Sequence, residues 1–131
     1  MGEIKSCRDL EVWQQAMDLV ERCYKASISF PRSEEFGLRA QLRRSAVSIP
    51  SNVSEGHGRS TTGDYCRHVQ IAHGSLMELE PQVQIAGRLG YLDAETLTDL
   101  MRRTEELGRK LNALGKRLRE RVAKRAGAGL P

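Results

Sequence analysis

A chain of 131 residues with 39% apolar but only 5% aromatic content has room for one domain, and its core must be aliphatic. No apolar run approaches the ~20 residues needed to cross a bilayer, which excludes a membrane span. Net charge is +4, but Arg109 onward carries +7 and residues 1–108 carry −3, so the basic character belongs to the C-terminal segment. Such asymmetry fits a polyanionic partner; it also fits a solvated helix face with cations gathered at a helix C-terminus.

The first helix is expected over about 9–28. Asp9 is its candidate N-cap, and Leu10, Trp13, Met17, Val20 and Tyr24 form its apolar face by steps of three and four. Phe30-Pro31 ends it, because proline disfavours helix in the residue before it. The second, over about 33–55, opens on Ser33 as N-cap with Glu34 and Glu35 in its first turn. Its stripe is Leu38, Leu42, Ala46, Ile49 and Val53, with an expected kink at Pro50. Gly56-His57-Gly58 then breaks it.

The third helix, about 61–89, begins at Thr61, which with Asp64 resembles a capping box. Tyr65, Val69, Ala72, Leu76, Leu79, Val83 and Ala86 keep a heptad-like seam, while Ile71, Ile85 and Leu89 add a second partial stripe for a neighbour on another side. Pro81 predicts a further kink, and Gly90 is a natural residue to follow the helix end. The fourth helix, about 93–123, opens on Asp93 and repeats Leu97, Leu100, Leu107, Leu111, Leu114 and Leu118 with Thr104 at one seam position. Residues 1–8 read as an N-terminal extension and 124–131 as a flexible tail. Four helices with short connections make an all-α, up-down-up-down antiparallel four-helix bundle over 9–123, with shallow left-handed crossings.

Nothing in the chain assembles catalytic or metal chemistry. His68 and His73 are five residues apart and point to different sides of a helix, unlike the i, i+4 pairs that bind metals. Glu78 and Glu80 diverge, and no nucleophile stands with a base and an orienting group. Gly56-His57-Gly58-Arg59-Ser60 lacks the Gly-Lys-Ser/Thr ending of a P-loop and reads as a turn, leaving Arg59 as a candidate phosphate contact. Cys7, Cys23 and Cys66 are odd in number and irregularly spaced, which points to reduced thiols and, with no signal peptide in Met1-Gly2-Glu3-Ile4-Lys5, to the cytoplasm. No cofactor is implied.

The stretch Gln41-Leu42-Arg43-Arg44-Ser45-Ala46-Val47-Ser48-Ile49-Pro50-Ser51-Asn52-Val53-Ser54-Glu55-Gly56 closely resembles the signature of the four-helix-bundle proteins encoded in 23S rRNA intervening sequences. Asp9-Leu10-Glu11-Val12-Trp13-Gln14, Phe30-Pro31, Glu35-Phe36-Gly37-Leu38, Ala72-His73-Gly74-Ser75-Leu76-Met77-Glu78-Leu79-Glu80 and Leu89-Gly90-Tyr91-Leu92 fit the same family in order. The resemblance implies a bundle that assembles as a ring-shaped homopentamer and associates with nucleic acid. A similar fold, the accessory variability determinant of diversity-generating retroelements, is a basic pentamer that works with a reverse transcriptase and RNA. No catalytic residues come with the resemblance. Pro81 departs from the family's uninterrupted helix, and Cys66 stands where an aromatic is more typical.

The expected function is therefore non-enzymatic: a basic homo-oligomer, a pentamer by resemblance, that holds nucleic acid, RNA in preference, through phosphate contacts. Arg109, Lys110, Lys116, Arg117, Arg119 and Arg121 are the main candidates, with Arg43, Arg44 and Arg59 secondary. They position a backbone rather than read bases, since aromatics for stacking are scarce. The alternative is a protein-binding adaptor or structural oligomer whose basic helix meets acids of a protein neighbour.

Overall fold

The computed structural model describes residues 10–128. They form α1 (Glu11–Ser27), a single 3-10 turn (Arg32–Glu34), α2 (Leu38–His57), α3 (Thr62–Arg88) and α4 (Ala94–Ala128), with no strand among the described residues. Each helix packs on its sequence neighbours, α4 closes back on α1, and the diagonal helices stand farther apart. Facing residues fix the directions. Asn52 meets His68 while Ser48 meets Ser75, and Arg22 meets Asp99 while Glu11 meets Lys110. As one number rises its partner falls, so neighbours are antiparallel and the bundle is up-down-up-down.

The helix ends follow their caps. Thr61 Oγ1 accepts a hydrogen bond from Asp64 N at 3.1 Å, and Asp93 Oδ1 accepts from Thr96 N at 2.7 Å, so both expected N-caps work. That second bond holds the Asp93 carboxyl below its ordinary range. Gly90 takes φ +78°, and Tyr91 N donates to Ala86 O while Gly90 N donates to Gly87 O, the paired bonds of a Schellman ending.

Three boundaries differ from expectation. Ser33 does not cap α2; the chain first makes the 3-10 turn, and Glu34 Oε1 instead accepts from Leu38 N at 2.9 Å. Asp9, the expected cap of α1, lies outside the described residues; the N-cap position is Leu10, with no side-chain bond. Helix α4 continues to Ala128 rather than ending near 123, because no breaker stands between Leu118 and Gly127 and Lys, Arg and Ala favour helix. Pro50 and Pro81 both lie inside helices that run on past them.

The seams of α2, α3 and α4 are buried as their spacing predicts: Leu42, Ala46, Ile49 and Val53; Val69 through Ala86; Leu100, Thr104, Leu107, Leu111 and Leu118. In α1 the buried face is Val12, Ala16, Leu19, Cys23 and Ser27, one residue off the expected stripe. Trp13 and Val20 are half-buried, while Met17 and Tyr24 are exposed. Small residues turned inward let α1 approach its neighbours, and the bulky ones are left at the margin. Burial also pushes the Cys23 thiol up to about 12.

Candidate nucleic-acid interface

Leu118 is the last core residue of α4, and residues 119–127 are all exposed. At 1.5 Å per residue the helix projects roughly 15 Å beyond the core. This end carries Arg119, Arg121, Lys124 and Arg125 against Glu120 alone. A segment that buries nothing gains nothing from its own core, so its helicity is propagated from the packed part.

The antiparallel order sets this projection beside the N-terminus of α1, the C-terminus of α2 and the N-terminus of α3. On the helical wheel Lys110, Arg117, Arg121 and Lys124 share one stripe, within roughly 60° of one another. That stripe faces α1, since Lys110 Nζ is ion-paired with Glu11, and Arg117 with Leu10, Glu11, Ala113 and Leu114 lines a groove of about 230 Å³. Arg109 and Lys116 lie on the outer face of α4, both exposed. Arg119 turns toward α3: its guanidinium lies beside Gly115, within 3.3 Å of where a Cβ there would stand. The six α4 candidates therefore occupy three sides of one helix.

The secondary candidates separate further. Arg43 is a structural group: its Nε donates to Ser27 Oγ at 2.8 Å, its guanidinium donates to Tyr24 O at 3.2 Å, and it stacks 4.5 Å over the Tyr24 ring. It ties α2 to the last carbonyls of α1. Arg59 is exposed and pairs with Glu55 at 2.6 Å, one turn back, at the same end as the α4 projection. Arg44 is exposed on a different side, in the cleft between α2 and α3. Lys124 belongs with the α4 stripe and Arg125 with the same exposed projection; both were missed because the segment reads as a tail. The missing breaker before Gly127 was the available signal.

The Gly56-His57-Gly58 segment is no anion cradle. Gly56 and His57 are helical, and a Cβ on Gly56 would stand 2.7 Å from His68 Cβ and 3.1 Å from Tyr65 Cδ1. Glycine here permits close approach of α2 and α3. His57 packs edge-on against Tyr65, centroids 5.7 Å apart. Among the described residues no three of His, Cys, Asp and Glu gather as metal ligands, and no helix is long and apolar enough to cross a membrane. A cavity of about 930 Å³ between α1 and the start of α4 is lined by Glu21, Arg22, Lys25, Glu95, Asp99 and Arg102. Asp99 is already held there by Arg22, Arg102 and Arg103.

The sequence profile described as 23S rRNA-intervening sequence protein matches residues 8–113. The chain belongs to this family. Among curated proteins no sequence matches this chain. A crystal structure from Bacteroides thetaiotaomicron, of a protein of unknown function from the S23 ribosomal protein family, shares its fold with a TM-score of 0.73. The two are 21% identical, over 80% of this chain and 95% of the other. The family match ends at 113, so the basic projection of α4 lies beyond it.

Proposed function

We propose that this protein is a non-enzymatic, homo-oligomeric helical bundle that binds nucleic acid, RNA in preference, through phosphate contacts. The observation that carries the reading is the α4 projection, nine exposed residues after Leu118 with four cations and one acid. A charged helix end that covers no core is free to meet a polyanion, and phosphate contacts of this kind need no base readout. The family description, which names an rRNA intervening sequence, agrees with RNA as the partner. Arg117, Arg121, Lys124 and Arg125 lead, with Arg59 at the same end, Arg109, Lys116 and Arg119 on the flanking sides and Lys110 partly engaged by Glu11. Several copies in one assembly multiply weak contacts through avidity.

Binding to fluorescent structured RNA and duplex DNA across a salt series tests this. Affinity is expected to fall steeply with salt, and reversal of Arg117, Arg121 and Lys124 to Glu should abolish it for all sequences alike. No binding at low salt overturns the reading. It would then favour an adaptor or structural oligomer, for which the Lys110–Glu11 pair offers support, since one of the basic groups already meets an acid of a packed helix.

A further inference from the structure

Helices α2 and α3 make the most extensive contact in the bundle, and one side of it is polar where the buried seams are aliphatic. The register set by Ser48 on Ser75 brings Ser45 level with Glu78 and Gln41 level with Gln82, by steps of three and four. Only the serine rung is closed, by a 2.7 Å bond between its hydroxyls. The other two line an open cleft of about 340 Å³ together with Arg44. That volume falls within the ~300–1,000 Å³ of small-ligand pockets, and seven residues of helix give the cleft roughly 10 Å of length.

The groups in this cleft are unspent. Gln82 Oε1 is buried without a partner, although buried acceptors in folded proteins are nearly always satisfied. Among the described residues neither Arg44 nor Glu78 makes an ion pair, and neither Gln41 nor Ser45 makes a side-chain hydrogen bond. Elsewhere the bundle's charges close on one another, as Arg102 and Arg103 do on Asp99 and Arg59 on Glu55. Two opposite charges that share a cleft without joining leave room for a molecule that carries both complements. A guanidinium takes a carboxylate in a two-pronged bond. A primary ammonium brings three donors and no acceptor, which suits the Glu78 carboxylate and the orphaned Gln82 oxygen together. Arg44 and Glu78 cancel, so a ligand of zero net charge keeps the cleft balanced, whereas a phosphate chain would meet Glu78 with like charge.

We propose that this cleft binds a small zwitterion of the α-amino acid class, its carboxylate on Arg44 and its ammonium between Glu78 and Gln82 Oε1. Gln41 and Ser45 then remain for polar groups of the ligand's side chain. The site stands apart from the basic end of α4 and does not depend on the reading of that end as a phosphate surface.

Calorimetric titration of the full chain with glycine, L-serine and L-glutamine tests the proposal. At least one of the three should bind saturably at one site and raise the melting temperature. Acetate and methylammonium, which carry one of the two charges each, should bind about tenfold more weakly or worse. Arg44→Gln, Glu78→Gln and Gln82→Leu should each weaken the amino acid about tenfold or more, with helix content by circular dichroism and affinity for RNA unchanged. No saturation by any of the three amino acids overturns the site. So does acetate or methylammonium binding as well as the amino acid, or full affinity in both Glu78→Gln and Gln82→Leu. A fall in RNA affinity with Arg44→Gln also overturns it, by putting that side chain on the phosphate surface.

Discussion

His68 Nδ1 lies 3.1 Å from Asn52 Oδ1 across the interface of α2 and α3. Asn52 Nδ2 is already spent on Ser48 O at 2.9 Å and Ser48 Oγ at 3.1 Å, so its amide oxygen must face the histidine. Nδ1 therefore carries the proton and donates, which leaves the Nε2 lone pair toward the Arg67 guanidinium at 3.4 Å. Ser48 continues the chain to Ser75 at 2.7 Å. This polar string is mutually satisfied and fixes the register of the two helices.

Breaking it should be costly. Asn52→Ala strands the His68 Nδ1–H in a buried position, and a loss of about 1–3 kcal/mol is expected. Chemical denaturation measures it. A double-mutant cycle with His68→Phe should show that the two losses do not add.

Gly56→Ala sets two effects against each other. Alanine favours a helix interior by ~1 kcal/mol over glycine, but its Cβ would stand 2.7 Å from His68 Cβ, and overpacking costs about 1–3 kcal/mol. The backbone of α3 backs that contact, so the clash should win. A higher melting temperature in the variant would show that the helices can part without penalty.

Asp99 gives the acid limb of stability. Burial raises its carboxyl, but the hydrogen bond and charge of Arg103, the hydrogen bond of Arg102 and the charge of Arg22 outweigh it and hold the group below its ordinary 3.8. A depressed folded value contributes stability that is complete above 3.8 and is lost as pH falls through the lower folded value. Asp99→Asn should therefore cost a modest ~0.5–1 kcal/mol near neutrality, as partly exposed pairs do. The gap between variant and parent should close as the solution is acidified below that point. Thermal melts from pH 2 to 7 would show it.

Arg43→Gln should separate structure from binding. It removes the stack on Tyr24 and the bonds to Ser27 Oγ and Tyr24 O, so roughly 1–2 kcal/mol of stability should be lost. Affinity for RNA should hold at temperatures where the variant is folded. A matching drop in affinity would return Arg43 to the interface.

Removing residues 120–131 should do the reverse. Nothing beyond Leu118 up to residue 127 is buried, so the midpoint of unfolding should shift little. RNA affinity and its salt dependence should both fall, because each lost phosphate contact lowers the slope by about one. Unchanged binding would take the projection out of the interface.

The seams of α2, α3 and α4 were legible because Leu42, Ile49, Leu76, Leu107 and their companions repeat by threes and fours with one dominant neighbour direction. The face of α1 was not. Its largest apolar residues, Trp13, Met17 and Tyr24, formed the stronger stripe, while the true core used Ala16, Cys23 and Ser27, whose small size hides them from a hydrophobic pattern. Arg43, within α2, and Arg59, just after its end, looked alike as cations; only their neighbours, Tyr24 and Glu55, told them apart.

Local chemistry alone determined the helices, most of their ends and the antiparallel order, because caps, prolines and short connections act within a few residues. It also located the basic C-terminal segment, since charge is written directly in the residues. Tertiary packing decided which side of α1 turns inward, why Gly56 must lack a side chain, and which arginines remain free. Those outcomes depend on how closely two helices approach, and that distance is set by side chains far apart in the chain.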